Sequence, residues 1–172
     1  MPNWVLNNVK FGTDKVLKEC MTTKNGHIDF DFEKILPMPD VLKDEDESGD
    51  KFEKLTQEEK LLFMRDNANC TDWYSWRLRF WGCKWNANDT YQTSDTEVSF
   101  QTPWSMPDEI YRAISKKYHT TVEVEYADES IEDNSGKAVY EDGVEVEYEQ
   151  GDADFRDYLW GYEPEKEEGG DM

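Results

Sequence analysis

The sequence predicts an α+β domain, an antiparallel sheet with helices on one face, on three observations. Stretches at 4–11, 27–32, 97–102 and 120–126 alternate apolar with polar residues, as half-buried strands do. Segments with a helical period lie between them, around 14–22, 56–66, 73–81 and 105–118. Five of the seven tryptophans (Trp73, Trp76, Trp81, Trp85 and Trp104) fall between Trp73 and Pro107, and aromatic side chains of that size dominate cores and interfaces.

Taken in order, Trp4 to Phe11 reads as a first strand with Trp4, Leu6, Val9 and Phe11 apolar and an irregularity near Asn7-Asn8. Thr13 is placed to cap a helix running from Asp14 to about Thr22, with Val16, Leu17, Cys20 and Met21 on its apolar face. Asn25-Gly26 signals a turn. The second strand follows, with Ile28, Phe30 and Phe32 alternating against Asp29 and Asp31, and Pro37 and Pro39 keep the next segment extended. From 40 to 54 the composition turns acidic, which predicts a mobile, solvated loop. Thr56-Gln-Glu-Glu59 is a capping box opening the next helix.

Trp73, Trp76 and Phe80 share one face of a short helix, with Trp81 beside them and Gly82 as its stop. The polar run 84–89 reads as a turn, and Glu97 to Thr102 as a strand ended by Pro103. Ser105 is placed as the cap of a helix with Ile110, Ala113, Ile114 and Tyr118 on one face. Thr120 to Tyr126 is a strand, and Lys137–Tyr140 and Val144–Glu149 flank Asp142-Gly143 as a hairpin with a short register offset. The resulting order is the ferredoxin-like plan. It has a helical insertion (37–90) between its second and third strands and an added C-terminal hairpin. The domain runs over 1–149, followed by an acidic tail, 150–172, whose last residues are expected to be unstructured.

Four segments then point to a family. MPNW at the start, DFEKILPMP at 31–39, WYSWRLRFWGCKWNA at 73–87 and FQTPWSMP at 100–107 resemble the ferredoxin-like phage and plasmid proteins of the YubB or Api92-like family. The resemblance covers roughly 1–149. It implies the ferredoxin-like fold and an origin on a mobile element, most plausibly a bacteriophage, and it implies no activity. The acidic loop 40–54 and the tail after Glu149 depart from the family pattern.

Composition narrows the function. The chain carries 40 acidic against 19 basic residues, a net charge of -21, a field that repels nucleic acid and anionic membranes and attracts basic partners. Residues 121–172 hold 19 of the acids and three bases, Lys137, Arg156 and Lys166. The three cysteines, Cys20, Cys70 and Cys83, fit no zinc or disulfide framework. The N-terminus has no secretory pattern and no stretch is apolar enough to span a membrane. The expected location is therefore the cytoplasm of a host cell. Walker, GxGxxG, GxSxG and HExxH motifs are absent, and His27 and His119 have no nucleophile at a telling spacing. Cys83 beside Lys84 is a weak nucleophile signal. No catalytic residue, metal or cofactor is assigned, and a non-enzymatic role is expected.

The pentapeptide VEVEY occurs at 122–126 and 144–148. If the valines and tyrosine of both copies face the core, Glu123, Glu125, Glu145, Glu147 and Glu149 share the other face, with Asp152 and Asp154 just beyond. Such rows of like charge destabilise a sheet unless solvent screens them or a basic surface meets them. The expectation is a phage-type accessory protein that binds a basic, nucleic-acid-binding host protein by mimicking DNA. A defence nuclease or CRISPR effector is the target class. The alternative is a module for a nucleotide-type small molecule, held by Trp73, Trp76, Arg77, Trp81, Lys84, Trp85 and Asn86. The tryptophans themselves are read first as core.

Overall fold

The computed structural model describes residues 1–43 and 51–163. Its centre is the strand β1, Trp4–Phe11, flanked antiparallel by β5, Glu97–Pro103, and β6, Val122–Asp128. Beyond β5 lies the edge strand β4, Asn88–Gln92. Beyond β6 come β7, Ser135–Glu141, and the other edge, β8, Val144–Gln150. The six-stranded order is β4-β5-β1-β6-β7-β8, and every pairing is antiparallel. A helical crossover joins β1 to β4, a short turn joins β4 to β5, and the helix α4, Asp108–Lys117, joins β5 to β6. That is the ferredoxin-like plan, extended at one edge by the β7–β8 hairpin. Its turn places Asp142 and Gly143 at φ 49° and 81°, as a two-residue hairpin turn requires.

The second sheet strand is not where the alternation put it. His27–Phe30 (β3) pairs with Met21–Lys24 (β2) in a separate two-stranded hairpin across Asn25-Gly26. The large sheet takes β4 instead, whose polar sequence NDTYQ hides it. The connection between β1 and β4 thus runs from 12 to 87, and the expected 37–90 insertion is its later part, running into β4. It contains α1, Lys15–Cys20, the β2–β3 hairpin, α2, Gln57–Asp66, and α3, Trp73–Phe80. Helix α1 stops at Cys20 because Met21 is already extended. The helix starts one residue later than expected, with Asp14 and not Thr13 at its cap position and no side-chain cap bond; Thr13 Oγ1 accepts from Lys15 N at 3.3 Å just ahead of it. The capping box of α2 forms as expected, Thr56 with Glu59. Asp72 caps α3 by accepting from Ser75 N at 2.8 Å, and Gly82 at φ 85° ends it. Ser105 does not cap α4; its hydroxyl donates to Gly82 O at 2.6 Å and ties the end of α3 to the start of α4.

The core lies between one sheet face and the crossover. The buried residues of β1 are Val5, Asn7, Val9 and Phe11, an unbroken alternation with no irregularity at Asn7-Asn8. The pattern looks broken in sequence because the inward residue at 7 is polar. Asn7 Nδ2 donates to Thr102 Oγ1 and Val5 O, both at 3.0 Å, and Asn7 Oδ1 accepts from Tyr111 Oη at 2.8 Å. A buried amide costs little when paired in this way. Phe11, Phe30, Phe32, Phe100 and Trp81 stack or meet edge-on, with centroids 5.3–6.0 Å apart. Leu42 and Phe52 are buried in the same core, so the ends of the acidic 40–54 segment are anchored. Its middle, and the tail from 164, lie outside the described residues.

The chain after β8 forms a further helix, α5, Ala153–Trp160. Trp160 Nε1 donates to Ala127 O at 2.8 Å, and Lys137 Nζ sits 5.7 Å from the Phe155 ring centroid. Ala127 and Lys137 alternate away from the core, so α5 covers one end of the sheet's other face.

Trp76 and Trp81 are core, at 4% and 0% exposure. Truncating either to alanine is expected to cost about 3–5 kcal/mol. Tyr111→Phe, which strands Asn7 Oδ1 without its donor, is expected to cost about 1–3 kcal/mol. Urea denaturation of the three variants against the parent checks both values.

Candidate functional site

Strand alternation gives the sheet a second face that, among the described residues, is covered only at the end under α5. At the level of Glu123, the residues across it are Glu97 on β5, Lys10 on β1, Glu123 on β6, Val139 on β7 and Glu147 on β8. One level along they are Ser99, Asn8, Glu125, Lys137 and Glu149. The β5, β1, β6 and β7 members of both levels floor a groove of about 530 Å³.

This arrangement alters two expectations. Glu145 does not share the face. The register of β7 and β8 shifts between Val139 and Tyr140, which sets Glu145 opposite the buried Tyr140 on the helix side. There Tyr140 Oη lies 3.5 Å from Glu145 Oε2. A one-residue slip turns every following side chain to the other face. The expected like-charge rows are also avoided, because none of the five glutamates lies directly opposite another. Glu123 sits between Lys10 and Val139, Glu125 between Asn8 and Lys137, and Glu147 and Glu149 face Val139 and Lys137. Lys10, Glu97 and Lys137 are parts of the face that the sequence reading missed, although the outward phase of 4–11 carries Lys10.

The second VEVEY copy also differs from the first. Val122, Val124 and Tyr126 are buried, whereas Val144, Val146 and Tyr148 are 56%, 48% and 49% exposed. β8 is an edge strand lying beyond most of the helix layer, and Tyr148 reaches back only to share a hydrogen bond with Tyr126 Oη at 3.2 Å.

The described bases of this half, Lys137 and Arg156, are already engaged. Lys137 Nζ is 3.7 Å from Glu125 Oε1, and Arg156 pairs with Asp157 at 2.9 Å and Glu132 at 3.9 Å. Among the described residues, Glu123, Glu147, Glu149, Asp152 and Asp154 have no cationic partner, and all five are exposed. Asp152 has a structural task as well, capping α5 by accepting from Phe155 N at 2.9 Å.

The residues of the alternative pocket separate. Trp76 and Trp81 are buried, their indole N–H groups donating to Asn67 Oδ1 at 3.2 Å and Leu36 O at 2.8 Å. Asn86 accepts from Phe32 N at 2.9 Å and donates to Asp31 Oδ1 at 2.8 Å, fastening the segment just after β3. Lys84 Nζ stands 4.6 Å from the centroid of Trp85. Trp73, Arg77 and Trp85 do come together, around a cavity that also takes Lys24 and Lys43 from distant parts of the chain. Cys83 is fully buried, and desolvation pushes its thiol up to about 12, so the neighbouring Lys84 does not make it a thiolate. Among the described residues no three His, Cys, Asp or Glu side chains are grouped to hold a metal ion, and no helix is long and apolar enough to cross a membrane.

Comparison with known proteins places the chain. No curated protein sequence matches it. Among solved structures, the crystal structure of protein api92 from Yersinia pseudotuberculosis is similar over 49% of this chain, at 15% identity and a TM-score of 0.39. The match spans only 32% of that protein. The family model described as the ferredoxin-like domain in Api92-like proteins matches residues 80–169, more than half of the 172-residue chain, and covers β4 to α5. The chain belongs to the Api92-like family of ferredoxin-like proteins.

Proposed function

We propose that this protein is a non-enzymatic accessory protein that binds and blocks a basic surface of another protein. The contact is the acidic face formed by β6, β8 and the start of α5. The observation that carries this reading is the set of exposed carboxylates at Glu123, Glu147, Glu149, Asp152 and Asp154. None of them is in an ion pair among the described residues; Lys137 and Arg156 are engaged by other acids, and Lys10, across from Glu123, is the one base on the face left without an acid partner there. A surface of this kind gains most from a partner that brings its own lysines and arginines. Basic surfaces that hold nucleic acid are the natural counterpart, since they are built to meet regularly spaced anions.

The target class we favour is a defence nuclease or CRISPR effector in the cytoplasm of a bacterial host. That choice follows from the mobile-element origin that the sequence resemblance implies. The face is a looser imitation of DNA than an unbroken carboxylate row. Glu123 and Glu147 stand two strands apart, roughly 9–10 Å at ordinary strand spacing, with Val139 between them.

The test is a capture experiment from bacterial lysate with the parent and with the triple variant Glu123→Gln, Glu147→Gln, Glu149→Gln. The substitutions keep shape and break no ion pair described here, so the melting temperature is expected to stay unchanged. The parent is expected to hold a nucleic-acid-binding protein at low salt and release it on raising salt or adding duplex DNA, because exposed charges are screened over about 8 Å at physiological ionic strength. The variant is expected to bind the same partner with a slower on-rate. Equal capture by the variant at every salt concentration would show that this face is not the contact.

A further inference from the structure

On the crossover side of the sheet, away from the glutamates, the charge balance reverses locally. A cavity of about 560 Å³ opens between β2, the segment after β3 and α3. Its lining includes three cations, Lys24, Lys43 and Arg77, against one carboxylate, Glu33. Glu33 is already committed: its Oε2 accepts from Met38 N at 3.1 Å and lies 3.6 Å from Lys43 Nζ, which also pairs with Asp40 Oδ1 at 3.3 Å, so Lys24 and Arg77 are the lining cations with no acid partner among the described residues. A local excess of positive charge in a chain of net charge -21 is unusual, because nothing in the average composition produces it.

Arg77 is held without being neutralised. Its guanidinium carbon lies 5.1 Å from the Trp73 ring centroid and 4.9 Å from that of Trp81. Stacking on two indoles fixes the plane of the fork, yet no carboxylate among the described residues pairs with it. Its Nε is buried with no hydrogen-bond partner. That nitrogen is closed off by protein, so a ligand would meet the outer Nη groups of the fork, and a rigid, unpaired guanidinium matches the oxygens of a phosphate. Aromatic groups complete the lining: the indoles of Trp73 and Trp85 border the same cavity, and Trp85 packs against Trp4, centroids 6.2 Å apart, with Lys84 Nζ over its ring at 4.6 Å.

From this we infer a binding site for a mononucleotide, its phosphate on Arg77, Lys24 and Lys43 and its base against Trp73 and Trp85. The volume lies within the range of about 300–1,000 Å³ usual for small-molecule sites, and stacking on indoles tolerates any base. The chain's overall negative field does not forbid an anion here, since it is screened over about 8 Å at physiological ionic strength and the local cations decide.

The experiment is a titration of the full chain with AMP, adenosine and inorganic phosphate, followed by calorimetry and by the indole N–H resonances. AMP is expected to bind at least tenfold more tightly than either adenosine or phosphate, shifting the signals of Trp73 and Trp85. Lys24→Gln, at an exposed position that leaves the fold alone, is expected to weaken AMP several-fold with no change in melting temperature or in adenosine binding. Arg77→Gln is expected to weaken AMP tenfold or more. The triple glutamine variant of the acidic face is expected to bind AMP as the parent does, so this site and the protein-binding face stand or fall separately. Binding of AMP no tighter than phosphate, no tighter than adenosine, or absent at millimolar concentration for all four common ribonucleoside monophosphates would overturn the inference.

Discussion

The edge-on contact of the Trp81 indole with Phe32, 5.6 Å between centroids, decides where the long crossover of this protein lies. Residues 12–87 separate β1 from β4, strands that belong to one sheet without touching each other. Closing a connection of that length costs entropy that grows only slowly with each added residue, but the segment still has to be fixed against one face. The anchor is a chain of rings. Phe32 meets both Trp81 and Phe100, and Phe100 stacks on Phe30 at 5.3 Å, which stacks in turn on Phe11 of β1. The Trp81 N–H to Leu36 O bond adds a direction that stacking alone does not supply.

With the crossover docked there, the two faces of the sheet acquire different chemistry. One face is dry, aromatic and closed by α1, α3 and α4. The other, among the described residues, is covered only under α5, and it is here that the acidic residues of β6 and β8 find room. Lys10 and Lys137 interrupt the glutamates, which lowers the repulsion within the sheet and leaves the unpaired carboxylates at Glu123 on β6, along β8 and at the start of α5. The same docking brings Lys24, Lys43 and Arg77 together, although 53 residues separate the first from the last. Both candidate surfaces are therefore consequences of where the crossover packs.

Much of this was legible in the residues. The capping box at Thr56, the helix from Trp73 with Gly82 as its end, and the Asp142-Gly143 turn each rest on a local signal with its own mechanism, and each is found where the signal lies. The departures share a different cause. β4 is a polar edge strand, and the ladder that makes it a strand comes from β5, far from any local pattern. β3 alternates as a sheet strand should, but alternation does not name the partner, and β2 is the nearer one. Asn7 reads as an interruption because its partners, Thr102 and Tyr111, are about 100 residues away. Glu145 leaves the acidic face through a register shift that involves β7 as much as β8. Asp152 was a readable cap, three residues before Phe155, for a helix that its acidic surroundings disguised as tail.

Hydrogen exchange at the Trp81 indole N–H tests the docking of the crossover most directly. If the ring cluster locks the crossover to the sheet, this proton exchanges only when the whole domain unfolds, with the same protection as the backbone amides of β1. Exchange much faster than those amides, while the sheet stays protected, would show that the crossover opens by itself and would contradict the account.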